Sequence, residues 1–322
     1  MPNSGIFRVA VVQCSSVILD VDKTVEKLEK YAKEAADNGA KLVLFPEAFI
    51  SCYPRGTNFG VIVGSRSMEG REKFRKYWES SVDIPGPVVD KLSKIAEENK
   101  IHLVTGVIER DEGTLYCSVI FFDDTGKYLG KHRKLIPTAA ERLVWGRGDG
   151  STMPVFDTAV GKIGAVICWE NYMPLLRVTM YSKGVQIYCA PTADAREEWT
   201  STMRHIALEG RCFVLGCNQY NRKSDYPPGF IDDEYDGLLG NEKGTDYIMS
   251  RGGSVIVSPM GKFLAGPVFD KEEVLYADLD LDDIQRGKLD FDAVGHYARP
   301  DVFTLHVNEK ENHTTVTESQ TQ

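Results

Sequence analysis

The stretch Ile163-Gly-Ala-Val-Ile-Cys168-Trp169-Glu170-Asn171-Tyr172-Met173-Pro174 organises the reading of the whole chain. An apolar, β-rich run carries one cysteine to its end, and the chain then turns into what reads as a helix. A thiol at a strand-to-helix junction lies near free backbone N–H groups and a positive dipole end, which favour the thiolate. That suits a nucleophile. Taken alone, however, Cys168 reads first as a core residue, one of seven cysteines in the chain.

The segments on either side alternate in type. Residues 174–183 have a helical pattern closed by Gly184, and residues 185–190 form a strand that ends in Pro191-Thr192. At the start of the chain, residues 7–13 read as a strand buried on both faces. A helix over 24–38 is stopped by Gly39, and a second strand over 41–45 exits at Pro46-Glu47. Two strands thus end in proline and a polar group, a short echo between the halves. Further helices are expected over 88–100, 198–210 and 282–289. Strands are expected over 101–109, 115–122, 212–218, 253–258, 263–265 and 274–278. Residues 52–86 read as a long loop with a short helix. Residues 220–250 lack any period, which points to function or an interface. The alternation predicts an α/β protein whose strand ends carry the site.

Composition narrows the function. The 322 residues are 42% apolar and 26% charged, which are globular values. A net charge of -9 argues against a nucleic-acid surface. No apolar run is long enough to span a bilayer and no secretory signal is visible, so no membrane role is expected. The dispersed cysteines include no CxxC pair and suit reduced thiols in a cytoplasmic compartment. The six histidines show no metal-ligand spacing, so no metal site is expected. The glycines of Trp145-Gly-Arg-Gly-Asp149-Gly150 have the wrong spacing for a phosphate loop. In Lys131-His-Arg-Lys134-Leu-Ile-Pro137, Lys134 leads into apolar residues that can carry an ammonium inward, although the stretch also reads as a solvated basic edge.

Three separated pieces now align: Phe45-Pro46-Glu47, His132-Arg-Lys134-Leu-Ile-Pro137 and Cys168-Trp-Glu-Asn171. Together they resemble the Glu-Lys-Cys set of the carbon–nitrogen hydrolase (nitrilase) superfamily. Cys-Trp-Glu-Asn followed by Pro174-Leu-Leu-Arg177 resembles its nitrilase branch, as do Glu141-Arg142, Trp145 to Gly150, and Val294-Gly-His296-Tyr-Ala-Arg-Pro300. Tyr53-Pro-Arg-Gly56 looks most like the plant-type group.

The resemblance implies a four-layer αββα sandwich, with one domain over residues 1–307 and a polar tail over 308–322 expected to be disordered. It implies Cys168 as nucleophile, Glu47 as general base, Lys134 as stabiliser of developing charge, and Glu141 as a further acid beside them. Tyr53, Trp145, Trp169, Pro191 and Thr192 are candidate pocket wall, although plain core packing accounts for the aromatic ones equally well. His296 is left outside the catalytic set. The implied reaction takes a small-molecule nitrile, probed first with arylaliphatic and cyanoalanine-like compounds, to carboxylic acid and ammonia. It consumes only water and implies no cofactor. The resemblance also implies homodimers that build into larger or helical homo-oligomers. Two other readings stay open at this point: an amidase or carbamoylase on the same scaffold, and a non-catalytic filament protein.

Overall fold

The computed structural model describes residues 5–238, 241 and 244–313. Its first half runs β1 (Ile6–Gln13), α1 (Val21–Asp37), β2 (Ala40–Leu44), a small hairpin of β3 (Val61–Ile62) and β4 (Ser65–Arg66), α2 (Met68–Glu79), β5 (Val82–Asp83), α3 (Pro87–Asn99), β6 (His102–Asp111), β7 (Thr114–Phe122) and β8 (Tyr128–Arg133). The second half runs β9 (Val155–Thr158), β10 (Gly161–Ala165), α4 (Pro174–Ser182), β11 (Ile187–Thr192), α5 (Glu198–Gly210), β12 (Phe213–Asn218), β13 (Tyr220–Arg222), α6 (Asp233–Leu238), β14 (Ile248–Val257), β15 (Phe263–Phe269), β16 (Glu273–Asp280) and α7 (Asp282–Lys288).

Two seven-stranded sheets result, ordered β16-β1-β2-β6-β7-β8 with β5 beside β6, and β13-β14-β12-β11-β10-β9 with β15 beside β14. Each has three parallel strands at its centre, β1-β2-β6 and β10-β11-β12, flanked by antiparallel neighbours. The echo between 46–47 and 191–192 therefore marks equivalent central strands of two similarly built sheets.

Strand alternation explains how the sheets pack. On β1, Val9 and Val11 face a middle apolar layer shared with Ile163, Ile187, Leu215 and Ile256 of the other sheet. Ala10 and Val12 face outward onto Leu28 and Ala32 of α1, next to Leu92 and Ile95 of α3. On the second sheet, Tyr188, Ala190 and Val214 face outward onto Met180 of α4 and Met203 and Ile206 of α5. Three apolar layers separate four structural ones, giving the expected αββα sandwich. The central strands read as continuous apolar runs because both of their faces are covered.

Helix ends follow their chemistry. The Asp20 side chain accepts from the Lys23 N–H at 3.0 Å and starts α1. Pro87 opens α3 at a position where its missing N–H costs nothing. Two segments carry more regular structure than the sequence suggests. Within 52–86, α2 runs for twelve residues behind a Ser67 cap on Gly70 N–H, yet it buries only Gly70 and Tyr77, so its apolar period is faint. Within 220–250, β13 and α6 form, and residues 239–240 and 242–243 lie outside the described residues. The basic stretch 128–133 is an edge strand. Lys131 and Arg133 both pair with the buried carboxylate of Glu109, so it is not simply solvated. Residues 308–313 of the expected disordered tail have no regular structure but are tied to the domain, where the Asn312 N–H donates to Asp149 at 2.7 Å. Residues 314–322 lie outside the described residues. Among the described residues no helix is long and apolar enough to cross a membrane.

Candidate active site

Glu47, Lys134 and Cys168 come together where the ends of both sheets meet. Glu47 leaves β2 along β6, where the Gly106 N–H donates to the Pro46 carbonyl at 3.1 Å. A Cβ at Gly106 would stand 2.3 Å from that oxygen and 2.8 Å from the Glu47 Cα, so only glycine lets the Glu47 backbone lie there. The Glu47 carbonyl also accepts from Gln219 Nε2 at 2.8 Å. Lys134 follows β8, and its backbone N–H donates to the Cys117 carbonyl at 2.8 Å.

The Lys134 Nζ lies 2.7 Å from Glu47 Oε1 and 2.8 Å from Glu141 Oε2, with the lysine and Glu47 side chains fully buried. Glu141 is held in turn by the Tyr53 hydroxyl at 2.8 Å and the Thr138 N–H at 2.6 Å. Burial would lower the Lys134 ammonium, but Glu47, Cys168 and Glu141 outweigh it and keep it protonated well above the ordinary lysine range. Burial raises the Glu47 carboxyl above its ordinary value, with Lys134 pulling it down and Glu141 pushing it up. Glu47 Oε2 has no hydrogen-bond partner.

Cys168 differs from its sequence reading in one respect. It does not cap a helix: α4 starts only at Pro174, and Cys168 opens a single 3₁₀ turn over Cys168–Tyr172. Its φ is +51°, a left-handed conformation that costs a non-glycine residue about 1–2 kcal/mol. No helix dipole therefore acts on the thiol. Burial, and then the Glu47 charge, push the thiol up to about 12, with Lys134 opposing. A base has to remove its proton, and Glu47 is the carboxylate whose charge acts most strongly on it, while the neighbouring Cys117 thiol donates to Glu47 Oε1 at 3.6 Å. Thr192 supplies a further contact. Its hydroxyl accepts from the Asp194 N–H at 2.9 Å and donates to Cys168 Sγ at 3.1 Å.

A cavity of about 490 Å³ opens in front of Cys168, lined by Tyr53, Arg55, Glu141, Trp169, Arg196 and Tyr235 among others. A second, of about 330 Å³, adjoins it across Tyr53, Arg55, Glu141 and Tyr235. Of the expected pocket wall, Tyr53 and Trp169 line the cavity, and Trp145, Pro191 and Thr192 do not. Trp145 is only 4% exposed, packs edge-on behind Tyr53, and lines neither cavity. Pro191 is buried within β11, inside the sheet rather than at the cavity. Thr192 touches the sulfur from below rather than the cavity. Trp169 is 42% exposed and anchored at the rim by its Nε1–H to Asp194 at 2.8 Å, with Arg196 stacked on its ring. His296 lies far along the chain beside Tyr297, in contact with its ring.

Four contributors escaped the sequence reading. Gly106 gave no signal, because a glycine within a strand is informative only once the neighbouring backbone is known. Arg55 was visible as part of Tyr53-Pro-Arg-Gly56 but had no partner to suggest a role. His132 and Glu170 sat inside the quoted motifs and meet only in three dimensions, with His132 Nε2 2.9 Å from Glu170 Oε2.

Residues 8–288 match the carbon–nitrogen hydrolase family. The chain belongs to that family. Among curated relatives, this hydrolase is 58% identical over 303 residues to a bifunctional nitrilase/nitrile hydratase of Nicotiana tabacum, covering 94% of this chain and 86% of the relative. It is 54% identical over 310 residues to nitrilase 2 of Arabidopsis thaliana, covering 95% and 90%. Its fold superimposes on a carbon–nitrogen hydrolase from Helicobacter pylori with a TM-score of 0.71 at 23% identity, covering 93% of this chain and 97% of that one. The plant-type resemblance read from the sequence thus agrees with the relatives.

Proposed function

We propose that this hydrolase converts organic nitriles to carboxylic acids and ammonia through a covalent bond to Cys168. The observation that carries this reading is the buried line of carboxylate, ammonium and carboxylate, Glu47–Lys134–Glu141, beside a thiol that needs a base. A nitrile carbon is a modest electrophile and calls for sulfur. Glu47 takes the thiol proton as Sγ attacks the nitrile carbon, and that proton is delivered to the nitrile nitrogen to leave a thioimidate. Glu47 then deprotonates a water that adds to the same carbon. Lys134, held rigidly between its carboxylates, stabilises charge on the tetrahedral species.

Two exits follow. Breaking the C–N bond releases ammonia and leaves a thioester, which a second water hydrolyses to the acid. Breaking the C–S bond releases an amide. The tobacco relative carries both activities in its name, which supports both exits here.

Arg55 favours nitriles that bear a carboxylate, of which cyanoalanine-like compounds are the type, over arylaliphatic ones. It lines the cavity beside the Tyr53 ring, Nη2 donates to the Ala193 carbonyl at 2.6 Å, Nε has no partner, and no carboxylate pairs with it among the described residues. Exposed Tyr172 just before α4, Leu175 in its first turn and Leu208 on α5 support pairing of two copies through this face. The dispersed reduced cysteines suit a cytoplasmic protein.

The test is ammonia and acid release across aromatic, arylacetonitrile, aliphatic and cyanoalanine substrates, with Cys168→Ala as the blank and an amide panel alongside. Turnover of amides with no nitrile turnover would replace this reading with an amidase. Folded protein that forms no acyl adduct at Cys168 with either class would leave only the filament reading.

A further inference from the structure

The carboxylate of Glu170 touches both halves of the site. Oε1 accepts from the Leu135 N–H at 2.6 Å, and Oε2 accepts from the Ile167 N–H at 2.9 Å. Leu135 is the residue after Lys134, and Ile167 is the residue before Cys168. The two backbones belong to different sheets, so one side chain spans the seam between them immediately under the reacting groups. Glu170 is 1% exposed and His132 is 1% exposed, and His132 Nε2 lies 2.9 Å from Glu170 Oε2.

We infer that His132 and Glu170 are positioning residues, a buried imidazolium–carboxylate pair that fixes the distance from the Lys134 ammonium to the Cys168 sulfur. The inference rests on the nitrilase reading only in taking Cys168 as the nucleophile.

The protonation of the histidine follows from its partners. Nδ1 faces the Thr152 carbonyl at 2.6 Å and Nε2 faces a carboxylate, so both ring nitrogens meet acceptors and both carry protons. Burial would lower His132, and the Glu170 charge outweighs it to raise it, with Lys183 just past the end of α4 opposing. The left-handed turn at Cys168 has to be over-determined to persist. Glu170 grips it from the Ile167 side, and Asn171 Nδ2 grips it from the other through the carbonyls of Val166 at 2.9 Å and Cys168 at 2.7 Å. Stability alone does not call for charge here, since a buried ion pair can be replaced by well-packed apolar groups at little or no loss. Apolar groups, however, would not hold two backbone N–H donors at fixed points on separate sheets.

The test uses the full chain with Glu170→Gln and His132→Gln. Glutamine fits the space of glutamate but turns one acceptor into an N–H₂ group that faces a backbone donor. Glu170→Gln is expected to lower kcat by about tenfold to a hundredfold, the scale of a misplacement near 1 Å, while KM moves by less than about threefold. Carbamidomethylation of Cys168 by iodoacetamide, read by mass spectrometry, slows by about tenfold or more in the same variant. That readout needs no nitrile turnover. If the wild type releases no ammonia from any nitrile but the labelling effect persists, the substrate reading fails and the positioning role stands. His132→Gln keeps a donor toward Glu170 and shows a smaller loss of the same kind. Variants that melt lower but keep kcat and Cys168 labelling within about threefold of wild type would reduce the pair to a structural role and overturn the inference. Should neither variant fold, ¹⁵N-histidine spectra of the wild type decide. A His132 ring with both nitrogens protonated at pH 7 is required, and a neutral ring overturns the proposal.

Discussion

Replacing Lys134 by methionine removes one charge and keeps most of the side-chain volume. The two carboxylate oxygens it bridges then face each other across no more than about 5.5 Å, with Glu47 fully buried and the Glu141 side chain 8% exposed. At an effective dielectric of about 20, two unit charges at that separation repel by about 3 kcal/mol. That is enough to change proton affinity about a hundredfold, so the variant binds a proton at this site at a higher pH than the wild type does. Breaking a buried pair by removing one member costs about 3–5 kcal/mol, and this loss shrinks in acid as the extra proton binds. Catalysis loses the donor to the tetrahedral species, about 3–4 kcal/mol or a few hundredfold in kcat. The assays are ammonia release under saturating nitrile and urea unfolding of both proteins at about pH 5.5 and 8, within the range where carboxyl pairs of this kind titrate. A variant that keeps kcat within about tenfold of wild type, or a stability deficit that does not change with pH, would refute the electrostatic reasoning.

The other expectations can be checked with the same protein. Cys168→Ala abolishes ammonia release and adduct formation while its circular dichroism and melting curve stay close to wild type. Thr192→Val removes the hydroxyl that donates to Cys168 Sγ, a bond that gains about 1.5–3 kcal/mol as negative charge develops on the sulfur, so kcat falls by about tenfold to a hundredfold with KM little changed. An unchanged rate of Cys168 labelling in that variant would contradict the donor role. Arg55→Leu raises KM for carboxylate-bearing nitriles by about tenfold or more and leaves arylacetonitriles nearly unaffected, and equal effects on both would remove the carboxylate argument. The folded pKa of His132 is raised, so the pair with Glu170 stabilises the fold fully below the unfolded value of about 6.5 and loses that contribution as pH rises through the folded value. The stability gap between wild type and His132→Gln, measured in urea, should therefore narrow toward alkaline pH, and a gap that widens would have the wrong sign.

Much of the architecture could be read from residue pattern because the central strands are long apolar runs and most helices have clear stops. The run Val9 to Val12 signals a strand covered on both faces, and Gly39, with φ +84°, marks the end of α1. The helix α2 was underestimated because charged residues occupy most of its turns and little of it is buried. Glu47, Lys134 and Cys168 could be assembled from sequence through the family resemblance, since nothing local links three residues so far apart. Resemblance does not reveal supporting geometry. The Gly106 approach, the left-handed Cys168 and the Glu170 clamp depend on contacts between segments that are distant in sequence. For Trp145, pocket wall and core packing read equally well from sequence, and its indole N–H, which finds the Tyr77 hydroxyl at 3.2 Å, keeps it in the core. The expected helix N-terminus at Cys168 failed for a related reason. Strand-to-helix order was visible, but the five-residue turn that separates Cys168 from α4 was not.

Glu47 and Lys134 come from one sheet and Cys168 and Thr192 from the other, so the apolar layer between the sheets also sets the distances of the site. A packing change at Val11, Ile187 or Leu215 that slid one sheet by a fraction of an ångström would leave every functional side chain in place and still separate thiol from base. The tolerance of this core to substitution should therefore be set by reaction rate well before it is set by folding. Variants of the middle layer that keep their melting temperature but lose turnover would be its signature, while equivalent changes in the two outer layers would affect stability alone.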